Sequence, residues 1–166
     1  MEIRELPVFL DYWDSIRGRT TRVAACIPPD QLEWSPAPGK WSFGDLLRHL
    51  GGIERWMYAE TVAGRPTAYP GHGPELARGF DPVMAYLDHC HVEAMEIFRA
   101  LSAAELMGKS LTPAGTPITT WKWLRAMVEH EAHHRGQIYL MLSLLGVKPP
   151  PIYGLTEEEV LARSRH

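Results

Sequence analysis

Apolar residues in this chain recur every three or four positions along four long stretches, and segments rich in proline and glycine separate them. That rhythm keeps one face of a helix apolar, and no segment of useful length alternates as a strand would. The first stretch runs from about Val8 to Cys26, with Trp13, Ile16, Val23 and Ile27 on one face and Pro28-Pro29 closing it. The second opens at Ser42, where Asp45 three residues on completes a capping-box pattern, and runs to about Ala63. Its inward stripe is Leu46, His49 or Leu50, Ile53 and Trp56. The third starts near Asp81-Pro82, an N-cap followed by proline at the first helical position, and carries Met84, Leu87, His91, Ala94, Phe98 and Leu101 as a bundle seam.

The irregular stretch Gly108 to Pro117 leads to Thr119 or Thr120 as the cap of a fourth helix, which continues to Leu145 and stops at Gly146 before three prolines. Trp123, Met127, His130, His134, Ile138 and Met141 form its inward stripe, and a short fifth helix, Glu157 to Arg163, is capped by Thr156. Between the second and third helices, Gly64 to Phe80 holds three prolines and four glycines, too long for an ordinary connection and therefore a crossover or a lid. These patterns predict an all-α four-helix bundle with a long crossover and a short C-terminal helix, one domain over residues 1–166.

Several functions are disfavoured at this point. The net charge of -3 and the scattered Lys and Arg residues give no basic field for nucleic acid. Two cysteines, Cys26 and Cys90, are too few for a disulfide framework and read as buried free thiols. The opening MEIRELPVFLDYWDS lacks the basic-then-apolar order of a signal peptide. The longest apolar stretch, Ile138 to Val147, is interrupted by Ser143 and Gly146 and is too short to span a bilayer. A soluble, cytoplasmic protein acting on a small molecule, away from membranes, is the expectation.

The chemistry concentrates in Glu129-His130-Glu131-Ala132-His133-His134-Arg135-Gly136-Gln137. His130 and His134 lie four apart, which stacks their imidazoles on one helix face, and they share the stripe of Met127, Ile138 and Met141. Two neutral imidazoles in an apolar seam cost a few kcal/mol unless a metal or hydrogen bonds satisfy them. His49, on the stripe of Leu46 and Ile53, supplies a third inward nitrogen from a second helix, matching catalytic metal sites that keep a coordination position open. His133 is the alternative to His134 as ligand, or a flanking residue. His91 on the third-helix seam is the candidate for a fourth ligand or an acid/base, with a core histidine bonded to a neighbour as the preferred reading. His72 in the long loop reads as solvated, and His89 and His166 have no positional argument.

The same run spells H-E-x-x-H, which would make Glu131 the general base of a zinc peptidase. The strand-containing lobe such enzymes use to align a peptide is missing and the third ligand lies upstream, so Glu131 reads instead as a solvated helix residue.

With His49, the HEAHHRGQI run and Pro38-Gly39-Lys40-Trp41-Ser42 in place, the chain resembles the DinB/YfiT-like superfamily over nearly its whole length. Members show a Trp-Ser opening before a helix with one histidine, here Trp41-Ser42 and His49, and a late histidine followed after three residues by His-Arg-Gly-Gln, here His130 and His134-Arg135-Gly136-Gln137. The resemblance implies a four-helix bundle with an unusual crossover, often a homodimer, with nickel, zinc or iron held by three histidines. Carried over by position, those ligands are His49, His130 and His134. Relatives include transferases or isomerases that use a low-molecular-weight thiol, and metal-dependent hydrolases.

Three further residues of the run have physical readings. Gly136 would permit close helix approach beside the site, at a helix cost of about 1 kcal/mol. Arg135 would bind an anionic substrate group, or pair with Glu129 or Glu131 at the surface. Gln137 would hydrogen-bond a ligating imidazole. A divalent ion with three neutral histidines would acidify a thiol or a water. The competing expectation is a bundle that holds metal without catalysis, or dimerises through its aromatic residues.

Overall fold

The computed structural model describes residues 2–164. Helix α1, Leu6–Ala24, opens at Glu5 with Pro7 in its first turn, where a missing N–H costs nothing, and gives way before Pro28 to a 3-10 turn at Pro29–Gln31. Helix α2, Phe43–Ile53, starts with the capping box read from the sequence: Asp45 N donates to Ser42 Oγ at 3.0 Å, and Ser42 N donates to the Asp45 carboxylate at 2.9 Å. It continues through a π-helical turn, Glu54–Ala59, into α3, Glu60–Val62. The wide turn shifts the helical phase, so Tyr58, Ala59 and Val62 fill the core and Trp56, expected inward, lies half-buried under the Arg55 guanidinium.

Helix α4, Phe80–Arg99, is capped by Gly79 at φ 84°, not by Asp81. A short helix not read from the sequence, α5, Ala103–Met107, follows, and the stretch expected to be irregular, Gly108 to Pro117, leads through a hairpin of β1, Lys109–Leu111, and β2, Pro117–Thr119, paired antiparallel with Lys109 opposite Thr119. Three-residue strands are too short to show alternation, which is why the sequence did not mark them. Helix α6, Thr120–Leu144, and the short α7, Glu157–Arg163, complete the chain. His166 lies outside the described residues. Among those described, no helix is long and apolar enough to cross a membrane.

The result is a four-helix bundle in which α1 packs on α4 and α6, and α2 packs on the same two. Consecutive helices α1 and α2 therefore face each other across the diagonal, and the long crossover joins α3 to α4. Gly51 allows the α2–α4 approach, since a β-carbon there would lie 3.2 Å from the Leu87 Cα.

Two apolar cores form inside this ring. Trp13, Ile16, Tyr58, Phe98, Leu124 and Met127 belong to one, and Val23, Phe43, Leu47, Leu87, Ile138 and Leu142 to the other. The same helices contribute a buried polar layer of Arg17, Thr20, Glu54, His91, Glu131 and Arg135. Arg17 Nη2 donates to Glu54 Oε2 at 2.5 Å, while its Nη1 lies 3.3 Å from Glu131 Oε1. Trp13 Nε1 donates to Glu54 Oε1 at 2.6 Å, and His91 Nδ1 meets the same oxygen at 2.8 Å with its Nε2 on Asp14 at 3.2 Å. Arg135 Nη1 donates to the Ile16 carbonyl at 3.3 Å.

Three expectations are corrected by these burials. Glu131, expected to be solvated, and Arg135, expected to bind a substrate anion or a surface carboxylate, are 1% and 4% exposed, because the bundle provides buried partners that a hydropathy stripe cannot reveal. Arg135 bonds α1 and not a surface carboxylate. Of the two free thiols, Cys90 is buried and Cys26 only half-buried. Burial works against the Glu54 carboxylate, yet Arg17, His91 and Trp13 together hold its pKa below the usual range; for Glu131 burial prevails over Arg17 and the pKa is raised. Burial also opposes protonated His91, but the Glu54 hydrogen bond and charge, joined by Asp14, raise its pKa.

Candidate metal centre

His49, on α2, and His130 and His134, one turn apart on α6, point toward one another where those helices meet. His49 Nε2 lies 3.0 Å from His130 Nε2, which lies 3.1 Å from His134 Nε2, and all three ligand atoms fall within 4.8 Å of one another. The outer nitrogens are held from behind. His134 Nδ1 donates to Gln137 Oε1 at 2.7 Å, so its proton sits there and its Nε2 lone pair faces the cluster. His49 Nδ1 meets the Tyr69 hydroxyl at 2.7 Å.

Burial, together with repulsion from the neighbouring imidazoles, depresses the pKa of His49 to about 3 and of His130 to about 4, and His134 is also lowered, again by burial first. At neutral pH, then, neutral imidazoles crowd their Nε2 atoms together, an arrangement that a shared cation would stabilise. Metal–nitrogen bonds of about 2.0–2.1 Å place neighbouring nitrogens roughly 2.9–3.4 Å apart for bond angles between about 90° and 109°. The 3.0 and 3.1 Å separations of His130 Nε2 from its two neighbours fall in that range.

A second group of side chains covers the cluster. The Trp41 ring lies 4.8 Å from His49 and stacks on His134 at 5.7 Å, and His72 packs on Trp41 at 4.3 Å. His72 was expected to be solvated. Arg48, fully buried beside His49 in sequence, prevents that: its Nε donates to the His72 carbonyl at 2.8 Å and its Nη1 to the Ala77 carbonyl at 3.1 Å. The same guanidinium holds Glu33 at 2.7 Å and Asp45 at 3.0 Å, fastening the crossover and the loop before α2 to one side chain. Its hydrogen bond is the main cause of a lowered Glu33 pKa.

The remaining candidates separate clearly. His133 is exposed, with its Nε2 3.3 Å from Gln137 Nε2. His91 stands with Glu54 and Asp14 in the polar layer, apart from the three-histidine group. Glu131 faces Arg17 in that layer, so the H-E-x-x-H spacing does not bring its carboxylate into the group. A β-carbon on Gly136 would meet nothing within 4 Å, so close helix approach does not explain that glycine. Gln137 does bond a clustered imidazole, as expected. Tyr69 and Arg48 carried no spacing signal; a tyrosine in a proline-flanked loop has no periodicity to place it.

His134 also borders a cavity of about 620 Å³ lined by Lys40, Trp41, Gln137 and otherwise mostly apolar side chains. A larger cavity of about 890 Å³, beside the β1–β2 hairpin and Gly64, is lined by none of the clustered histidines.

A four-helix bundle with three converging histidines beside an open cavity defines a class of candidate metalloproteins. The sequence profile of the DinB superfamily matches residues 12–138, and the chain belongs to that superfamily. Among solved structures, a DinB-like protein from Bacillus cereus has a TM-score of 0.74 at 17% identity, covering 86% of this chain and 94% of its own. A DinB-like protein from Bacillus subtilis has a TM-score of 0.71 at 19% identity, covering 89% and 98%. A mycothiol-dependent maleylpyruvate isomerase has a TM-score of 0.64 at 16% identity, covering 81% of this chain; the match spans 60% of that enzyme. No functionally curated protein matches the sequence.

Proposed function

We propose that this protein is a metal-dependent enzyme in which His49, His130 and His134 hold nickel, zinc or iron and a low-molecular-weight thiol serves as cosubstrate in a transfer or isomerisation. The observation that carries the reading is the convergence of three Nε2 atoms, with Gln137 fixing the tautomer of His134, at the mouth of a cavity. A divalent ion held by neutral imidazoles keeps its full positive charge and would lower the pKa of a thiol or water brought to it. The chain does the rest. Tyr69 and Gln137 orient the rings, Trp41 and His72 keep bulk water from one side, and the cavity beside His134 admits a small-molecule substrate. The fold-level likeness to an isomerase described as mycothiol-dependent favours the thiol over water, which would make the protein a hydrolase.

Metal content by plasma mass spectrometry, on untagged wild type and on His49→Ala, His130→Ala and His134→Ala, tests the centre. Near one equivalent in wild type, lost in each variant, is the expected result, followed by thiol-dependent turnover of model electrophiles that His49→Ala abolishes. No uptake on titration would overturn the metal reading, and turnover indifferent to removal of the thiol would overturn the thiol.

A further inference from the structure

The cavity beside His134 has a composition that narrows what can enter it. It is lined by the buried side chains of Leu46 and Met141, by Pro36, Ala37 and Gly39 of the loop before α2, and by Leu140 and Leu144 of α6. Leu140 and Leu144 are 62% and 61% exposed, an unusual cost on a helix whose other outward positions are mostly polar. Together with Gln137 and Met141 they continue the clustered-histidine face outward at three- and four-residue spacing, so an apolar stripe leads away from His134. At about 1.5 Å per residue, that stripe extends roughly 15 Å from His134 to Leu144.

Charge adds direction. Lys40, adjacent to Trp41, is the single charged side chain of the lining, and among the described residues no carboxylate lines this cavity. In a chain of net charge -3 this is a local reversal of sign.

We propose that this cavity binds the apolar body of an anionic small molecule, with an alkyl chain of medium length along Leu140, Met141 and Leu144 and its anionic group on Lys40. The inference rests on the reading above insofar as His134 marks the reactive end; it adds the chemical class of the substrate. A short polar thiol alone would leave the leucine stripe in water, whereas an amphiphilic anion covers it.

The test uses metal-free protein, so that it stands or falls separately from the metal centre. Isothermal titration calorimetry with octanoate, butyrate and octyltrimethylammonium reads the apolar and ionic contributions separately. Four extra methylenes at about fourfold each, half-buried in an open cavity, predict octanoate binding at least roughly 15-fold tighter than butyrate. Octanoate should also exceed octyltrimethylammonium, Lys40→Gln should erase that preference, and Leu144→Glu should weaken octanoate about 10-fold without changing the circular dichroism spectrum. Equal affinity for octanoate and butyrate, no binding of either, or indifference to Leu144→Glu overturns the proposal. Sedimentation provides a second arm: a wild-type dimer that Leu144→Glu dissociates would show a second copy of the chain to be the occupant, and would overturn it too. Metal retained by a protein that ignores octanoate leaves the metal centre standing, while octanoate binding by a protein that takes up no metal removes the centre alone.

Discussion

Arg17→Met isolates the energetic role of the buried polar layer. Arg17 is 4% exposed and is the cation shared by Glu54 and Glu131, each 1% exposed. Removing one partner of a buried pair costs about 3–5 kcal/mol, and here two carboxylates lose the same cation, so the upper part of that range, about 4–5 kcal/mol, is expected. Against the roughly 5–15 kcal/mol that holds a domain together, that is severe. The sign of its pH dependence follows from the carboxylates. Without Arg17 the Glu54 pKa, now held low, rises, and that of Glu131, already raised by burial, rises further; a raised carboxyl pKa stabilises the fold below the unfolded pKa and loses that contribution as pH rises. The deficit relative to wild type should therefore be larger at about pH 8 than at about pH 5.5, in urea unfolding followed by circular dichroism. Adding Glu131→Gln to Arg17→Met should recover part of the loss, because one uncompensated charge is gone. A variant within about 1 kcal/mol of wild type at both pH values, or a deficit independent of pH, would refute the assignment of this layer as a charge-balanced unit.

Tyr69→Phe, which removes the hydroxyl behind His49, should weaken metal binding by about 10-fold or more with the fold intact, read by competition with a chromophoric chelator. The depressed pKa values of His49 and His130, about 3 and about 4, mean that their neutral forms support the metal-free fold above the unfolded pKa of 6.5, and that this support is lost as pH falls toward those values. Melting of the metal-free protein should accordingly shift to lower temperature between about pH 6.5 and about pH 4, and a His49→Gln/His130→Gln double variant should flatten the profile. Arg48→Gln releases the carbonyls of His72 and Ala77, so limited proteolysis should cut residues 64–79 faster than in wild type, while equal cutting rates would show the crossover to be held by other contacts.

What the sequence made legible follows from which interactions are periodic. The four helices and the Ser42 capping box are local patterns, and His49, His130 and His134 could be selected because they sit on apolar stripes at helical spacing. The π-helical turn at Glu54–Ala59 broke that logic by changing the phase within a helix, and the hairpin escaped it by being too short. On α6 the error had a single cause. The stripe was drawn through His130, but the most buried line runs through Leu124, Met127, Glu131, Arg135, Ile138 and Leu142, and His130 lies half-buried at its edge. A glutamate and an arginine on a helix read as solvent-facing until a partner is known. Their partners, Arg17 and the Ile16 carbonyl, are on α1, more than a hundred residues away. That offset explains how one helix serves two purposes. Positions 130, 134 and 137 turn toward α2 and the cavity, whereas 131 and 135, each one residue and about 100° further round, turn toward α1. The ionic layer thus grips α6 against α1 at the height of the histidines. The rotation of α6 that aims His130 and His134 is thereby set by buried charges that no hydropathy pattern could display.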